Sequence, residues 1–309
     1  MAHIVSMINW KGGVGKTTLA YHIGIGLWKF LSKRTLVIDL DPQANLSFLA
    51  VGGASNYAQR AYKSGKPSTL LDLYDRYFDG KPLDLKSLIH EKATIASEGR
   101  VWTGVDIVLS HQELILVDLK LARERRAAKD FREETKHEIT KLSILAESIS
   151  EIADKYDYIL LDCPPNINLT TQNALFASTH FVIPAKADFL STVGISLIKK
   201  KMKELSLDYD NMWKIADPTH QYKGAKPSGI IFNEIVERSG SPKKPQQDII
   251  DAVRLQNPGD VFDSYLTEGG GITDASKENL PVYALHTANA QKQSAYLERI
   301  VNEFAAKII

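Results

Sequence analysis

One glycine-rich stretch near the start of the chain restricts the possible folds more than any other feature. Residues 11–18 read Lys-Gly-Gly-Val-Gly-Lys-Thr-Thr, and they lie between an apolar run and a helix-forming stretch, residues 19–31. A strand, a glycine-rich turn and a helix N-terminus in this order are typical of a phosphate-binding loop. Because glycines let backbone N–H groups turn inward, and the helix end is partially positive, the stretch predicts a phosphate site.

The side chains of this loop are expected to have different binding roles. Lys16 is predicted to reach the terminal phosphates of a nucleotide, and the Thr17 hydroxyl to bind Mg²⁺. The general pattern G-x-x-x-x-G-K-[ST] requires glycine where this chain has Trp10, and the loop contains a second lysine, Lys11. The predicted nucleotide-binding set is Lys11, Gly12, Gly13, Val14, Gly15, Lys16, Thr17 and Thr18.

K-G-G-x-G-K-T-T is a deviant form of the loop, and it resembles the loop of the ParA/MinD group of nucleotide-dependent ATPases. Lys11 stands in the place of that group's signature lysine. The resemblance implies ATP and Mg²⁺ as cofactors and hydrolysis of ATP to ADP and phosphate. It also implies Lys11, Lys16 and Asp41 as the catalytic residues.

A second apolar segment, residues 35–41, ends in two carboxylates, Asp39 and Asp41. Apolar residues on both faces indicate a parallel strand covered by helices on either side. The sequence Asp-Leu-Asp-Pro-Gln is similar to the family's second motif, which implies that Asp41 orients or deprotonates the attacking water. Asp39 would help to hold the Mg²⁺ shell. A helix-cap role before Ala44 is the alternative for either aspartate.

A later strand, residues 158–162, has four apolar positions before Asp162 and is followed by Cys163-Pro164-Pro165. This is the Walker B pattern, in which Asp162 holds Mg²⁺ through water, and it resembles the family's D-x-P-P switch. Cys163 is the chain's one cysteine, which excludes an internal disulfide and argues against an iron–sulfur protein. We interpret it as a small buried residue.

Further strands are predicted at residues 180–184 and 229–233, and less clearly at 261–266 and 281–285. Asn233 ends the 229–233 strand, where the family often uses an Asn to bond adenine; a turn-forming Asn is the alternative. Strands alternating with helices predict an α/β fold with a doubly wound, mainly parallel sheet. We expect one P-loop ATPase domain over residues 1–309, with inserts near 51–103 and 206–227. Short helices are predicted at 70–78 and 83–89.

A net charge of +1 gives the chain no overall attraction to nucleic acid, so DNA binding requires a local patch. Basic residues concentrate after Ile198, and a solvated helix end is an equally good interpretation of their first cluster. Trp213 and Tyr222 are expected to anchor a surface loop rather than to stack on bases. The candidate DNA contacts are Lys199, Lys200, Lys201, Lys203, Arg238, Lys243, Lys244 and Arg254.

The end of the chain has an apolar stripe at helical spacing, formed by Tyr296, Leu297, Ile300, Val301, Phe304 and Ile308. A MinD-type membrane helix is one interpretation, but the polar face has no net positive charge. We therefore expect this helix to pack on the sheet. The sequence shows neither a signal peptide nor an apolar run of about 20 residues, so a cytoplasmic location is expected.

Across nearly the whole chain, the motifs resemble those of ParA/Soj-type partition ATPases. The resemblance implies an ATP-bound homodimer in which Lys11 of each subunit crosses to its partner's phosphates. It also implies binding to non-specific DNA, a ParB-like activating protein, a nucleoid-associated location, and plasmid or chromosome partition. The chain begins on its first strand, so an N-terminal helix-turn-helix domain is not expected. A relative that positions a protein cargo, or one that binds a membrane, is the alternative.

Overall fold

The computed structural model describes residues 2–63, 66–91 and 102–308. Its main sheet has seven strands in the order β5-β6-β2-β7-β1-β8-β9. Every neighbouring pair is parallel except β5 with β6. These strands are β1 (His3–Met7), β2 (Thr35–Asp39), β5 (Ile89–His90), β6 (Val105–Val108), β7 (Tyr158–Asp162), β8 (His180–Lys186) and β9 (Lys226–Asn233).

Helices connect these strands, and two small hairpins lie outside the main sheet. The hairpins pair β3 (Tyr62–Lys63) with β4 (Lys66–Pro67) and β10 (Glu237–Arg238) with β11 (Ser241–Pro242). The helices are α1 (Lys16–Leu31), α2 (Asn45–Val51), α3 (Ala54–Arg60), α4 (Leu70–Phe78), α5 (Leu114–Arg123), α6 (Phe131–Ser150), α7 (Leu169–Ala177), α8 (Phe189–Ala216), α9 (Lys244–Gln256), α10 (Gly270–Lys277) and α11 (Ala288–Lys307).

The sheet is buried on both faces because successive side chains of each strand point to opposite layers. Val37 of β2 packs in the same apolar cluster as α1 and α11, whereas Leu36 and Ile38 pack with α4, α5 and α6. All five residues of β2 and of β7 are buried. This two-sided burial explains the nearly continuous apolar runs in the sequence, and it confirms the predicted doubly wound, mainly parallel fold.

The parallel arrangement brings the predicted motifs to one edge of the sheet. Asp39 of β2 lies directly beside Asp162 of β7 in the strand register. The glycine loop follows the carboxyl end of β1, which pairs with β7 and β8. Asn233 ends β9 at the same edge. Ligands of open α/β sheets bind outside the carboxyl ends of the strands, so the fold assembles a site there.

Several local predictions differ from the structure. The helix predicted at 83–89 is reduced to a single 3₁₀ turn, Lys86–Leu88, followed by β5. The strand predicted at 281–285 is wrong, because this segment forms a 3₁₀ turn, Val282–Ala284. The segment 261–266 is not a regular strand: Val261 forms an isolated parallel bridge to Ile230 of β9, and Thr267, just after the segment, forms one to Ile235. Short apolar runs do not distinguish a strand from a buried turn by periodicity alone.

The segment expected to be an insert at 206–227 is helical over its first half. The last turns of α8 occupy its first half, and the following loop folds back on that helix. Trp213 stacks on His220 with ring centroids 3.7 Å apart, and Tyr222 stacks on Phe176 at 5.1 Å. Both aromatic residues therefore anchor this loop, as predicted.

The apolar stripe of α11 faces the protein interior. Leu297, Ile300, Val301 and Phe304 are fully buried, and α11 packs against α1. This confirms the prediction of a helix that covers the sheet. In the part of the chain that the structure describes, each helix is too short or too polar to span a membrane.

Candidate nucleotide-binding site

The glycine loop forms an open cradle in front of α1. Gly13 and Gly15 have φ values of +68° and +88°, a backbone conformation that favours glycine. Gly15 caps the N-terminus of α1, and in the described part of the chain no side chain bonds to the free N–H groups of that first turn. Those groups, together with the helix dipole, suit an anionic ligand.

Gly15 also marks a close approach between the loop and the end of β9. The Asn233 amide donates a hydrogen bond to the Val14 carbonyl oxygen at 3.2 Å. A Cβ atom added at Gly15 would lie 1.8 Å from Asn233 Nδ2. Asn233 is buried and fixes the loop against β9, in addition to any contact that it makes with an adenine base.

Substituting Gly15 with alanine is expected to weaken nucleotide binding by about tenfold or more. An L-amino acid in the left-handed backbone conformation costs roughly 1–2 kcal/mol, and Asn233 must also move. Gly12→Ala is the matched control, since a Cβ there meets no described atom within 4 Å. Titration with a fluorescent ATP analogue measures both variants. Equal affinities of Gly15→Ala and Gly12→Ala would contradict the close approach.

The two lysines of the loop point in different directions. Lys16 is buried and folds back over the loop, where its ammonium donates to the Lys11 carbonyl oxygen at 3.3 Å. Burial lowers the pKa of Lys16, and the nearby carboxylates of Asp162 and Asp41 oppose that shift. Lys11 extends outward, and its half-exposed ammonium lies 2.6 Å from Asp188, the N-cap of α8. The Lys16 ammonium thus lies within its own loop, whereas the Lys11 ammonium lies at the rim of the site.

Asp39 organises the turn that follows β2. Its carboxylate accepts hydrogen bonds from the Ser47 hydroxyl at 2.7 Å, from the Ser47 N–H at 2.9 Å and from the Asp41 N–H at 3.1 Å. Burial raises the pKa of Asp39 to about 7, and the hydrogen bonds from Ser47 oppose the shift. Because its oxygens already accept these bonds, Asp39 would act on a bound cation through water rather than directly.

Asp162 lies beside Asp39 and is equally buried, but its carboxylate is left open. Within the described residues, neither oxygen of Asp162 makes a hydrogen bond of ordinary geometry. The Thr17 hydroxyl nevertheless lies close enough to the carboxylate to lower the pKa of Asp162. Burial and the neighbouring Asp39 charge outweigh this contact and raise the pKa of Asp162 well above its usual range. A bound cation would stabilise the charged form of this buried carboxylate, and oxygen donors of this kind suit Mg²⁺. Thr17 and Asp162 therefore fit the predicted metal site.

Asp41 lies closer to solvent than the other two aspartates. One carboxylate oxygen accepts a hydrogen bond from the Gln43 N–H at 2.9 Å, and the Asp41 carbonyl oxygen accepts one from the Ser110 hydroxyl at 2.6 Å. These bonds fix the backbone of the turn at the mouth of the loop. The position is suitable for a group that contacts water next to a bound phosphate.

A cleft of about 620 Å³ begins beside the loop, at Thr18 and Asn233. Its other walls come from the segment after β9 and from α10, including Glu234, Thr267, Ile272 and Lys277. Asp39 and Asp162 are not among its described lining residues, and it has the size of a small-molecule site. It can therefore accept the base and ribose of a nucleotide whose phosphates lie in the loop.

Four of the eight predicted DNA contacts are paired with acidic side chains. Lys199 bonds to Asp260 at 2.6 Å, Lys201 to Glu204 at 3.3 Å, Lys244 to Asp248 at 2.8 Å and Arg254 to Asp263 at 3.1 Å. In the described residues, acidic partners are absent for Lys200, Lys203, Arg238 and Lys243. The first two lie along α8 and the last two near the start of α9.

Sequence reasoning missed the role of Asp188 and the apolar surface next to it. Asp188 caps α8 by accepting a hydrogen bond from the Ser191 N–H at 2.9 Å. The first turns of α8 expose large apolar side chains, among them Phe189, Leu190 and Val193. The available signal was an aspartate directly before two bulky apolar residues, four residues after the strand predicted at 180–184.

Comparisons with known proteins show which family this chain resembles. The family model AAA_31, described as an AAA domain, matches residues 2–215. The chain is 26% identical over 309 residues to the chromosome-partitioning ATPase Soj of Treponema pallidum, a match that covers 99% of this chain and 98% of that protein.

Two solved structures share the fold. The ATP complex of a Cyanothece McdA variant has a TM-score of 0.68 at 18% identity, covering 99% of this chain and 96% of that one. A plasmid partition protein of Borrelia burgdorferi has a TM-score of 0.62 at 17% identity, covering 98% and 99%. Together with the matched family model and the two-lysine loop, these results show that the chain belongs to the ParA/MinD family of P-loop ATPases, as a ParA/Soj-type member.

Proposed function

We propose that this chain is a Mg²⁺-dependent ATPase that dimerises with ATP, binds non-specific DNA and drives plasmid or chromosome partition. The observation that carries the proposal is the outward direction of Lys11. Lys16 already supplies a cation to the loop, whereas Lys11 reaches a half-exposed carboxylate at the rim of the site. A second subunit that faces the loop could receive this ammonium beside its own bound phosphates.

The surface around the mouth of the site supports such a dimer. Exposed apolar residues lie on both sides of it: Phe189, Leu190, Val193 and Leu197 on α8, and Ile115, Leu116 and Leu119 on α5. Helix α8 begins at Asp188, which contacts Lys11, and α5 begins shortly after Ser110, which contacts Asp41. Clustered apolar side chains of this kind are typical of protein–protein contacts.

In the proposed reaction, each group of the chain has a separate task. The loop N–H groups and Lys16 bind the phosphates, and Asn233 with the adjoining cleft holds the base. Thr17 and Asp162 would hold Mg²⁺, with Asp39 beside Asp162, and a bound ion would supply charge neutralisation at the phosphates. Asp41 orients the attacking water, and Lys11 of the facing subunit stabilises the charge that develops during hydrolysis.

The dimer is tested by Lys11→Ala. Without the crossing cation, dimerisation with a non-hydrolysable ATP analogue and Mg²⁺ is expected to weaken at least about tenfold, since truncating a charged contact in an interface typically costs about 2–5 kcal/mol. Binding of the analogue to the monomer should change little. Multi-angle light scattering across a protein dilution series measures the first, and fluorescence titration at low protein concentration the second.

Lys86→Ala, which changes an exposed lysine away from the site, is the matched control and should dimerise normally. An undiminished dimer in Lys11→Ala would overturn the proposed exchange between subunits. In that case the dimer would form through other contacts, without exchange of Lys11 between the subunits.

For DNA binding, Arg238 and Lys243 are the best supported of the candidate contacts. They lie in and after the β10–β11 hairpin, which follows the carboxyl end of β9, and they have no acidic partner in the described residues. Gel shifts on random-sequence duplex DNA, with and without ATP at two salt concentrations, test the proposal, because phosphate contacts lose affinity as salt rises. The proposed activator is a ParB-like protein, and the proposed location is the cytoplasm, in association with the nucleoid.

A further inference from the structure

A second cleft, of about 630 Å³, lies on the opposite side of the molecule from the nucleotide site. It is bordered by the amino ends of β8 and β9, at Phe181 and Pro227, and by the middle of α8. Since the nucleotide loop and Asp162 lie at the carboxyl edge of the same sheet, the two sites are at opposite edges. The second cleft therefore has no part in the proposed ATP chemistry.

The floor of this cleft is apolar and firmly supported. Phe181 and Met202 form its base, and the more exposed side chains of Leu207, Ala225 and Pro227 form its walls. The loop after α8 is held close to the helix, because a Cβ added at Gly224 would lie 1.9 Å from Ser206 Oγ. A cleft with such walls is present before any ligand arrives.

The rim of the cleft is positively charged. Lys199, Lys200 and Lys203 border it, and no carboxylate is among its described lining residues. Lys199 is neutralised by Asp260 at 2.6 Å, but Lys200 and Lys203 are exposed and have no acidic partner in residues 2–63, 66–91 and 102–308. Like charges within one helical turn repel each other, so an anionic ligand would relieve an unfavourable arrangement.

We propose that this cleft binds an acidic peptide segment of a partner protein, with a bulky apolar side chain on the Phe181–Met202 floor and carboxylates at Lys200 and Lys203. The combination of floor and rim favours such a peptide over duplex DNA. Phosphate groups would use the lysines but leave the apolar floor unfilled, whereas an acidic segment with an apolar anchor uses both. Anchors of this type contribute most of the affinity in peptide complexes.

The proposal is tested on the full chain with a fluorescein-labelled peptide in which a Phe-Leu pair is flanked on each side by three acidic residues. Two control peptides carry Ser-Ser in place of Phe-Leu, or amides in place of the acids. Fluorescence anisotropy should show tighter binding of the acidic apolar peptide than of either control. Lys200→Gln/Lys203→Gln should weaken it by about five- to tenfold, the loss expected for two exposed ion pairs.

Two further measurements make the result decisive. The matched variant Lys86→Gln/Lys155→Gln removes the same charge elsewhere on the surface and should bind the peptide normally. Leu207→Asp, which places a charge on the apolar wall, should weaken binding while thermal denaturation stays unchanged. The proposal is overturned if the acidic apolar peptide binds no tighter than its controls, or if Lys200→Gln/Lys203→Gln lowers affinity only for a random-sequence DNA duplex.

Discussion

Replacing Asp41 with alanine is expected to lower the rate of ATP hydrolysis by about 10²–10⁴-fold, the usual contribution of a positioned acid–base group. The Asp41 backbone is fixed by Ser110, and one carboxylate oxygen by the Gln43 N–H. The side chain therefore faces the mouth of the loop in a defined orientation. Because Asp41 has no part in holding the loop itself, nucleotide binding and ATP-dependent dimerisation should persist.

Phosphate release in single-turnover experiments measures the hydrolytic step, and light scattering measures the dimer. The expected outcome is a dimer that persists for as long as ATP is present. Asp154→Ala, which removes an exposed carboxylate far from the site, is the control. A hydrolysis rate in Asp41→Ala within threefold of the unmodified protein would exclude Asp41 as the group that orients water.

The second large effect concerns pH and the buried His22 of α1. His22 Nδ1 lies 2.8 Å from the Thr18 carbonyl oxygen and donates to it, while Nε2 accepts a hydrogen bond from the Val282 N–H at 3.1 Å. Burial lowers the pKa of His22 to about 4. A protonated ring would lose the bond to Val282 and place a charge in the core, so folding requires the neutral form.

The sign of the pH effect follows from this shift. An unfolded histidine has a pKa near 6.5, so between about pH 6.5 and 4 the unfolded chain binds the extra proton. The stability contributed by neutral His22 is complete above pH 6.5 and is lost as pH falls toward 4. The difference between a pKa near 6.5 in the unfolded chain and one of about 4 in the folded protein corresponds to roughly 3 kcal/mol at the acid end of this window.

Asp39 has the opposite effect on the pH dependence of stability over much of the same pH range. Its pKa, raised to about 7 by burial, favours the folded state at low pH. The contribution of His22 is therefore measured as a difference between variants, by urea unfolding at pH 7 and at pH 4.5. His22→Gln should lower stability at pH 7 but lose about 2 kcal/mol less between pH 7 and pH 4.5. His286→Gln, at an exposed position, should behave like the unmodified chain, and parallel losses in all three proteins would contradict the argument.

Much of the fold and the nucleotide site could be predicted because the signals are local. The glycine loop, the strand ending in Asp39 and the strand ending in Asp162 each combine an apolar run with a specific polar end. Parallel strands then bring those ends to one edge without further information. The prediction failed at residues 281–285, where the same apolar composition serves a buried turn.

Contacts between distant parts of the chain could not be predicted in the same way. Lys11 and Asp188 are 177 positions apart, and the ion pair between them depends on where β8 ends relative to β1. The lysines after Ile198 give the same sequence signal whether they bind DNA, pair with Asp260 or border an apolar cleft. Their separate roles depend on which side of α8 faces the sheet.

Helix α8 joins the two edges of the molecule without a break. Its 28 residues extend for about 42 Å, from the Asp188 cap beside Lys11 to beyond the lysine-rimmed cleft. A continuous helix of this kind can move as one body, so that a shift at one end also occurs at the other. Suppose that the transfer of Lys11 to another subunit shifts this helix and so changes the affinity of the far cleft for its ligand. Thermodynamic reciprocity then requires that the ligand change the affinity between subunits by the same factor.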